Sequence, residues 1–307
     1  MEIWKFFIKD KKIEIPVYCT AKNQHPDKFS RMKKQMRSTN RNLSIKRLET
    51  IMKKNKRLIG IILSILFLLL LYYASLLINN NFDGASGYMM KSVQRILFFI
   101  TELIIFVKLY KKDSIRSILN INSFKEAVPA CSAMLLYVVF DVITYTAIGA
   151  KTWLNTTMPI VASCLIFMQL ATGLWEELTF RAFVCEGYYQ GSNATFKRRL
   201  LYAGISMMIF GMAHAVECDS LEQAIYRFIT TGVWGFAFTS VYLYTHNILA
   251  AVIIHFFTNI FLNIPIFISD WNDSPLFMIL DNYVQWVMLA VILIVAVVFL
   301  YKKPVRE

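Results

Sequence analysis

The chain has 307 residues, of which 57% are apolar and only 17% charged, against roughly a quarter charged in an average soluble domain. Mean hydropathy is +0.49, with 24 Phe and 15 Tyr among the bulky side chains. These figures exclude a disordered chain, a collagen-like fibre and an ordinary soluble enzyme, and they predict an all-α, polytopic membrane protein. The formal charge of +13 is concentrated in one place: residues 1–57 hold 17 Lys/Arg against 5 Asp/Glu, whereas the other 250 residues hold 16 against 15. Such an arm reads as a solvated, partly disordered cytoplasmic tail that fixes topology and touches anionic lipid headgroups. It carries no aromatic-basic motif, so nucleic acid is not an expected partner. Cys19, Cys131, Cys164, Cys185 and Cys218 are odd in number and scattered, with no C-x-x-C pair, and read as reduced.

Residues 58–307 divide into about eight apolar runs. The first, Leu58–Ile78, is long enough for a hydrocarbon core of about 30 Å and starts too late for a cleaved secretory signal. The others are Arg95–Leu109, Val128–Ile148, Met158–Val184, Leu200–Val216, Ala224–Tyr244, Asn247–Ile268 and Tyr283–Tyr301. Loop charges alternate along them. Lys111, Lys112, Arg116 and Lys125 follow the second run, Lys197–Arg199 the fourth, and Lys302, Lys303 and Arg306 the eighth. The opposite loops carry Glu217, Asp219 and Glu222, then Asp270, Asp273 and Asp281. By the positive-inside rule both termini are cytoplasmic. The heavy use of Lys, Ile and Asn suggests AT-rich coding DNA and a bacterial plasma membrane.

Ionisable side chains inside such runs cost about 2.5–3.5 kcal/mol each and therefore call for a reason. They gather in the fourth run (Glu176, Glu177, Arg181), the fifth (His214, with Phe210) and the seventh (His255, Asn259). Glu177 and Arg181 are spaced i,i+4 with the acid first, the better order for an ion pair along one helix. Glu176 lies about 100° round the helix from Glu177 and shares its face with Thr172 and Gln169, without an obvious charged partner. His255 and Asn259 repeat the i,i+4 spacing, Asn263 continues their stripe, and Pro265 is placed to loosen the helix beyond. Depth estimates at 1.5 Å per residue overlap, between roughly 12 and 21 Å from the cytoplasmic ends. The expected arrangement is a polar cavity between helices four, five and seven.

A carboxylate in such a cavity suits a general base acting on water, and a neutral histidine can share its proton. A second histidine with an amide supplies donors for a tetrahedral oxyanion. Phe210 is read as shielding His214. Cys185 has no partnered histidine and is not read as a nucleophile. Elsewhere, Glu102 is expected to pair with Arg95 or Lys108, Asp141 to be paired internally or to face the cavity, and His246 to be solvated in a turn. The sequon at Asn155 would face outwards.

Glu176-Glu177-x-x-x-Arg181, Phe210-x-x-x-His214 and His255-x-x-x-Asn259, in this order on apolar segments, resemble the pattern of the CPBP intramembrane glutamic endopeptidases. That family comprises the CAAX prenyl endopeptidase type and the bacterial abortive-infection-like proteins. The resemblance covers about residues 130–299, which would form the peptidase core, and leaves out the basic arm. It implies a metal-independent endopeptidase in which Glu176 and His214 activate water, and His255 and Asn259 hold the oxyanion. Glu177 and Arg181 would order the pocket. The implied partner is a peptide or membrane-anchored protein substrate, and no cofactor is implied. Two alternatives share these residues. One is a non-catalytic scaffold or bacteriocin-immunity-type protein that binds through the same cavity. The other is a zinc-dependent protease, disfavoured because no H-E-x-x-H spacing occurs. A transporter with proton-relay residues is a weaker alternative, since no inverted repeat is visible.

Overall fold

The computed structural model describes residues 55–56, 58–110, 115, 118–119, 123–149, 158–189, 195–263, 283–302 and 304. The arm 1–54, Lys111, Lys112, Arg116, Asn155, Pro265, Asp270, Asp273 and Asp281 lie outside the described residues. Among the described residues the named elements are all helices, and a lone antiparallel bridge joins Leu119 to Asn247. In chain order they are α1 Leu58–Asn79, α2 Gly84–Tyr110, α3 Phe124–Ala130, α4 Ser132–Gly149 and α5 Met158–Glu177. A π-helical segment, Leu178–Phe183, continues α5 into α6 Val184–Tyr189. Then come α7 Phe196–Ala215, α8 Leu221–Thr245, α9 Ile248–Leu262 and α10 Gln285–Tyr301.

The all-α expectation holds. Two stretches, Leu58–Asn79 and Pro159–Gly187, are long and apolar enough to cross a membrane, and the bent pair α3–α4 adds a third if counted as one span. The sequence predicts eight. Hydropathy sums residues without regard to breaks, whereas Pro129 sits inside α3 and the chain turns by 65° before α4. Proline removes a backbone donor and clashes with the preceding turn, which is why the third run is not a single straight helix. α9 has 15 residues and α10 has 17, about 22 and 26 Å at 1.5 Å per residue. In the opposite direction, α2 begins at Gly84, eleven residues before the predicted Arg95.

The burial pattern has apolar residues on both sides of the fold. α8 is enclosed over Gly232–Leu243, with α7, α9, α10 and α3 packed around it. A helix buried all round belongs to the middle of a bundle. The outer helices present large apolar side chains outwards: Leu58, Ile62, Leu66, Leu69 and Tyr73 on α1, and Leu97, Ile100 and Ile104 on α2. Meanwhile Glu102, Gln94 and Ser92 of α2 point inwards. Apolar outside with polar inside is the arrangement expected where the surroundings are hydrocarbon. α2 lies against α5, and α9 packs against α4, α5 and α8. The two glutamates, the two histidines and the arginine are thereby brought to neighbouring helices.

Helix ends are satisfied locally. Thr195, Ser220 and Asn247 cap α7, α8 and α9 by accepting backbone N–H bonds. The C-terminal end of α10 is held from outside. Buried Arg199 donates from Nε to Leu300 O at 2.7 Å and from Nη2 to Lys302 O at 3.0 Å and Tyr301 O at 3.4 Å. A cation over the last carbonyls of a helix also opposes the negative end of its dipole. Arg199→Ala is expected to lower stability by about 2–3 kcal/mol, the scale of hydrogen bonds to a charged group, read as a fall in detergent-solubilised melting temperature. Arg199→Lys should recover part of it.

Candidate active site

α5 approaches α9 closely because Gly173 faces it: a Cβ there would lie 3.4 Å from Val252 O. Gly173 is one turn before Glu176 and Glu177, and Val252 is one turn before His255, so this contact sets the two polar groups opposite each other. Glu177 lies at the hub. Its Oε1 accepts a 2.7 Å hydrogen bond from His255 Nδ1, and its Oε2 is 3.1 Å from Arg181 Nε, an ion pair rather than an aligned hydrogen bond. A carboxylate only accepts, so the imidazole nitrogen facing it carries the proton. The opposite nitrogen, Nε2, is 3.5 Å from Glu176 Oε2. Arg181, Glu177, His255 and Glu176 therefore form one buried chain of charges across two helices.

Aromatic rings hold this chain in place. Arg181 is fully buried, its guanidinium 4.5 Å from the Phe210 ring centre and 5.2 Å from that of Phe238, with Nη2 also 3.5 Å from Gly235 O. Cation–π contact out of water contributes to the stabilisation of that charge. His255 stacks on Phe238 with ring centres 4.6 Å apart. Phe210 stands between the two histidines, 4.6 Å from His214 and 6.0 Å from His255. The position of Phe210 depends on Gly235, where a Cβ would lie 2.8 Å from its ring.

His214 is half-buried, and its Nδ1 is 2.9 Å from Phe210 O on its own helix. A carbonyl accepts, so Nδ1 donates and Nε2 is left as the acceptor. His214 lines a polar cavity of about 540 Å³ with Glu217, Cys218, Asp219, Gln223, Tyr226 and Arg227. Among the described residues no hydrogen bond or ion pair joins His214 to Glu176, and the Asn259 amide has no hydrogen-bond partner. Asn259 is half-buried one turn beyond His255. Among the described residues, Glu176 Oε2 and the Nε and Nη1 atoms of Arg95 are buried without hydrogen-bond partners. Glu176 and Glu217 are charged neighbours of Arg95. Among the described residues no group of three or more His, Cys, Asp or Glu side chains is arranged to hold a metal ion.

Two expectations are corrected here. Glu102 pairs with neither Arg95 nor Lys108. Its Oε1 accepts from Trp175 Nε1 at 2.7 Å and its Oε2 from Thr179 Oγ1 at 2.6 Å, because the side chain faces α5 rather than its own helix. His246 is buried, not solvated: its Nε2 is 2.9 Å from Glu186 Oε2, to which Tyr242 also donates at 3.1 Å. Asp141 is buried, and its Oδ2 has no hydrogen-bond partner among the described residues.

The π-helical segment has no residue signature and was not predicted. Its backbone is met by neighbours: Ser206 Oγ donates to Phe180 O at 3.0 Å, and the Tyr110 hydroxyl shares its proton between Phe183 O at 3.3 Å and Lys56 O at 3.2 Å. Irregular turns of this kind occur often at functional sites.

Residues 158–261 match the family model described as type II CAAX prenyl endopeptidase Rce1-like. This segment is similar to Rce1-like domains. It contains Glu176, Glu177, Arg181, Phe210, His214, His255 and Asn259, and the family it represents is one of integral membrane proteases. No curated protein and no solved structure matches the chain.

Gly235→Ala is expected to drive its new methyl into Phe210, separating the two histidines from the ring between them. Overpacking of this sort costs about 1–3 kcal/mol. The expected outcome is at least a roughly tenfold loss of peptidase activity in protein that still folds, measured as cleavage in membranes beside the melting temperature.

Proposed function

We propose that the protein is a metal-independent intramembrane endopeptidase of the glutamic type. The observation that carries this reading is Glu176. It is a buried carboxylate with an uncommitted oxygen, facing an imidazole whose far side is pinned by Glu177 and Arg181. Glu176 accepts a proton from water while the hydroxide oxygen bonds to the carbonyl carbon of the substrate. His214, with Nε2 as its acceptor nitrogen, shares that proton. The carbonyl oxygen takes the electron pair and is held by the Asn259 amide and by His255 as an imidazolium, which donates from Nε2 while Nδ1–H stays on Glu177; such a donor is typically worth a few kcal/mol. Collapse breaks the C–N bond, and the proton returns to the leaving nitrogen. Glu177 and Arg181 fix the orientation of His255, and Phe210 packs between the histidines.

The substrate is a peptide or membrane-anchored protein, in keeping with the membrane-anchored substrates of the family. An apolar cleft of about 460 Å³ between α1 and α7, lined by residues including Leu68, Leu69, Met208 and Met212, supports an occupant that is partly in lipid. Met212 is two residues from His214 on the same helix. The accompanying topology is eight membrane passages of a bacterial plasma membrane, both termini cytoplasmic, with the catalytic cavity between the fourth, fifth and seventh. The basic arm would lie on anionic headgroups.

The test compares the membrane peptidome of cells carrying wild type, Glu176→Gln and His214→Ala. Cleavage products present only with wild type are expected, with losses of at least about 100-fold in both variants. Equal product patterns in all three, with the cellular phenotype kept, would instead establish a binding scaffold. Loss of cleavage on treatment with a chelator, restored by added zinc, would replace the metal-independent reading. The expected result is no effect of chelator.

A further inference from the structure

Glu102 lies on α2, outside the matched segment 158–261, and no motif draws attention to it. It is nevertheless fully buried, and both of its carboxylate oxygens are used. Trp175, which donates to one, immediately precedes the Glu176-Glu177 doublet. Thr179, which donates to the other, is the second residue of the π-helical segment. The two donors are four residues apart and so share a face of the helix, while Glu176 and Glu177 point to other faces. The Thr179 hydroxyl also lies 2.9 Å from Trp175 O, yet its single proton favours the shorter contact to the carboxylate at 2.6 Å.

Below the doublet the chain is tied separately, by Ser206 and Tyr110 to the carbonyls of the π-helical segment and by His246 and Tyr242 to Glu186. A π-helical turn is a register defect, and its relaxation to a regular helix rotates one side against the other. With the lower side fixed, the part that would rotate is the doublet. Two ties oppose that rotation: Glu177 to His255 on α9, and the Trp175–Glu102–Thr179 clamp to α2, which holds the side of the helix that carries neither glutamate.

We infer that Glu102 is a positioning residue of the proposed peptidase, whose two hydrogen bonds across the doublet set the direction in which Glu176 faces His255. The inference rests on the reading of Glu176 as the group that activates water. Misplacement by about 1 Å is enough to lower a rate about 100-fold. Glu102→Gln keeps the geometry: its carbonyl accepts from the Trp175 indole and its amide donates to the Thr179 oxygen, whose own proton turns to Trp175 O. Glu102→Leu removes both contacts at similar volume.

The experiment uses the full chain in detergent, with a randomised octapeptide library bearing a fluorophore and quencher as probe. Glu102→Leu is expected to lower kcat by about 100-fold with KM within about threefold, and Glu102→Gln to stay within about threefold of wild type in both. Thr179→Val is expected to cost about tenfold alone and nothing further in the Glu102→Leu background, since both act through one clamp. A merely structural role would instead lower the amount of folded protein and leave kcat per folded molecule unchanged. In parallel, 5-fluorotryptophan labelling with the Trp175 signal assigned by Trp175→Phe reports the indole hydrogen bond without any substrate. That resonance should shift in Glu102→Leu and return in Glu102→Gln. An unmoved resonance, an unchanged kcat in Glu102→Leu, or an equal loss in Glu102→Gln overturns the inference. An active Glu176→Gln in the same assay, or no cleavage by wild type, marks failure of the underlying reading rather than of the clamp, which the fluorine signal then decides alone.

Discussion

A carboxylate taken out of water must be compensated, and Glu177 is where this protein meets that requirement. One of its oxygens faces a guanidinium and the other an imidazole N–H, and neither partner is exposed. Remove either and the remaining charge is stranded, the most costly kind of loss in a buried ion pair. The rest of the site depends on this neutral pair. It lets Arg181 sit among three aromatic rings, it fixes His255 Nδ1 as a donor, and it leaves Glu176 Oε2 without a hydrogen bond among the described residues. The two adjacent glutamates thus have unlike roles because a helix turns about 100° between them.

The bundle around the site follows from the same economy of polar groups. The stretch Gly232–Leu243 of α8, enclosed on all sides, carries no charged side chain and places Gly, Ala, Ser and Thr where its neighbours come close. Its hydroxyls bond to backbone carbonyls, as Ser240 does to Ala296 O at 2.8 Å and Thr239 to Gly235 O at 2.7 Å. Small residues of this kind let helices approach where water offers no driving force between them. The polar interior is therefore specified by which side chains find partners rather than by hydrophobicity, which is nearly uniform.

How far the sequence reveals these features depends on whether the information is local. Glu177 and Arg181 are legible because one helical turn joins them. The helical class and the first span are legible because composition alone decides them. The partner of Glu102 is not: Arg95 and Lys108 are the nearest cations along its helix, but the side chain turns to α5, and only the packing of α2 on α5 says so. Glu186 and His246 are 60 residues apart and meet through tertiary structure. The π-helical segment is written in ordinary helix-compatible residues, so nothing in Leu178–Phe183 marks it. The break in the third run is hidden for a related reason: apolar runs do not record bends such as the one at Pro129.

The corner between α8 and α9 has a practical side. It is two residues long, His246 adopts a left-handed backbone with φ at 50°, and its ring is tied to Glu186 while Asn247 caps the next helix. Short loops between hydrophobic helices are the usual places to splice reporter domains when the sidedness of a membrane protein is mapped. Here a splice would cut the link between the helix that carries Phe238 and the one that carries His255. The insertion would dismantle the pocket it was meant to orient, so reporters belong in the connection between α1 and α2, where the chain is exposed over Asn80–Asp83.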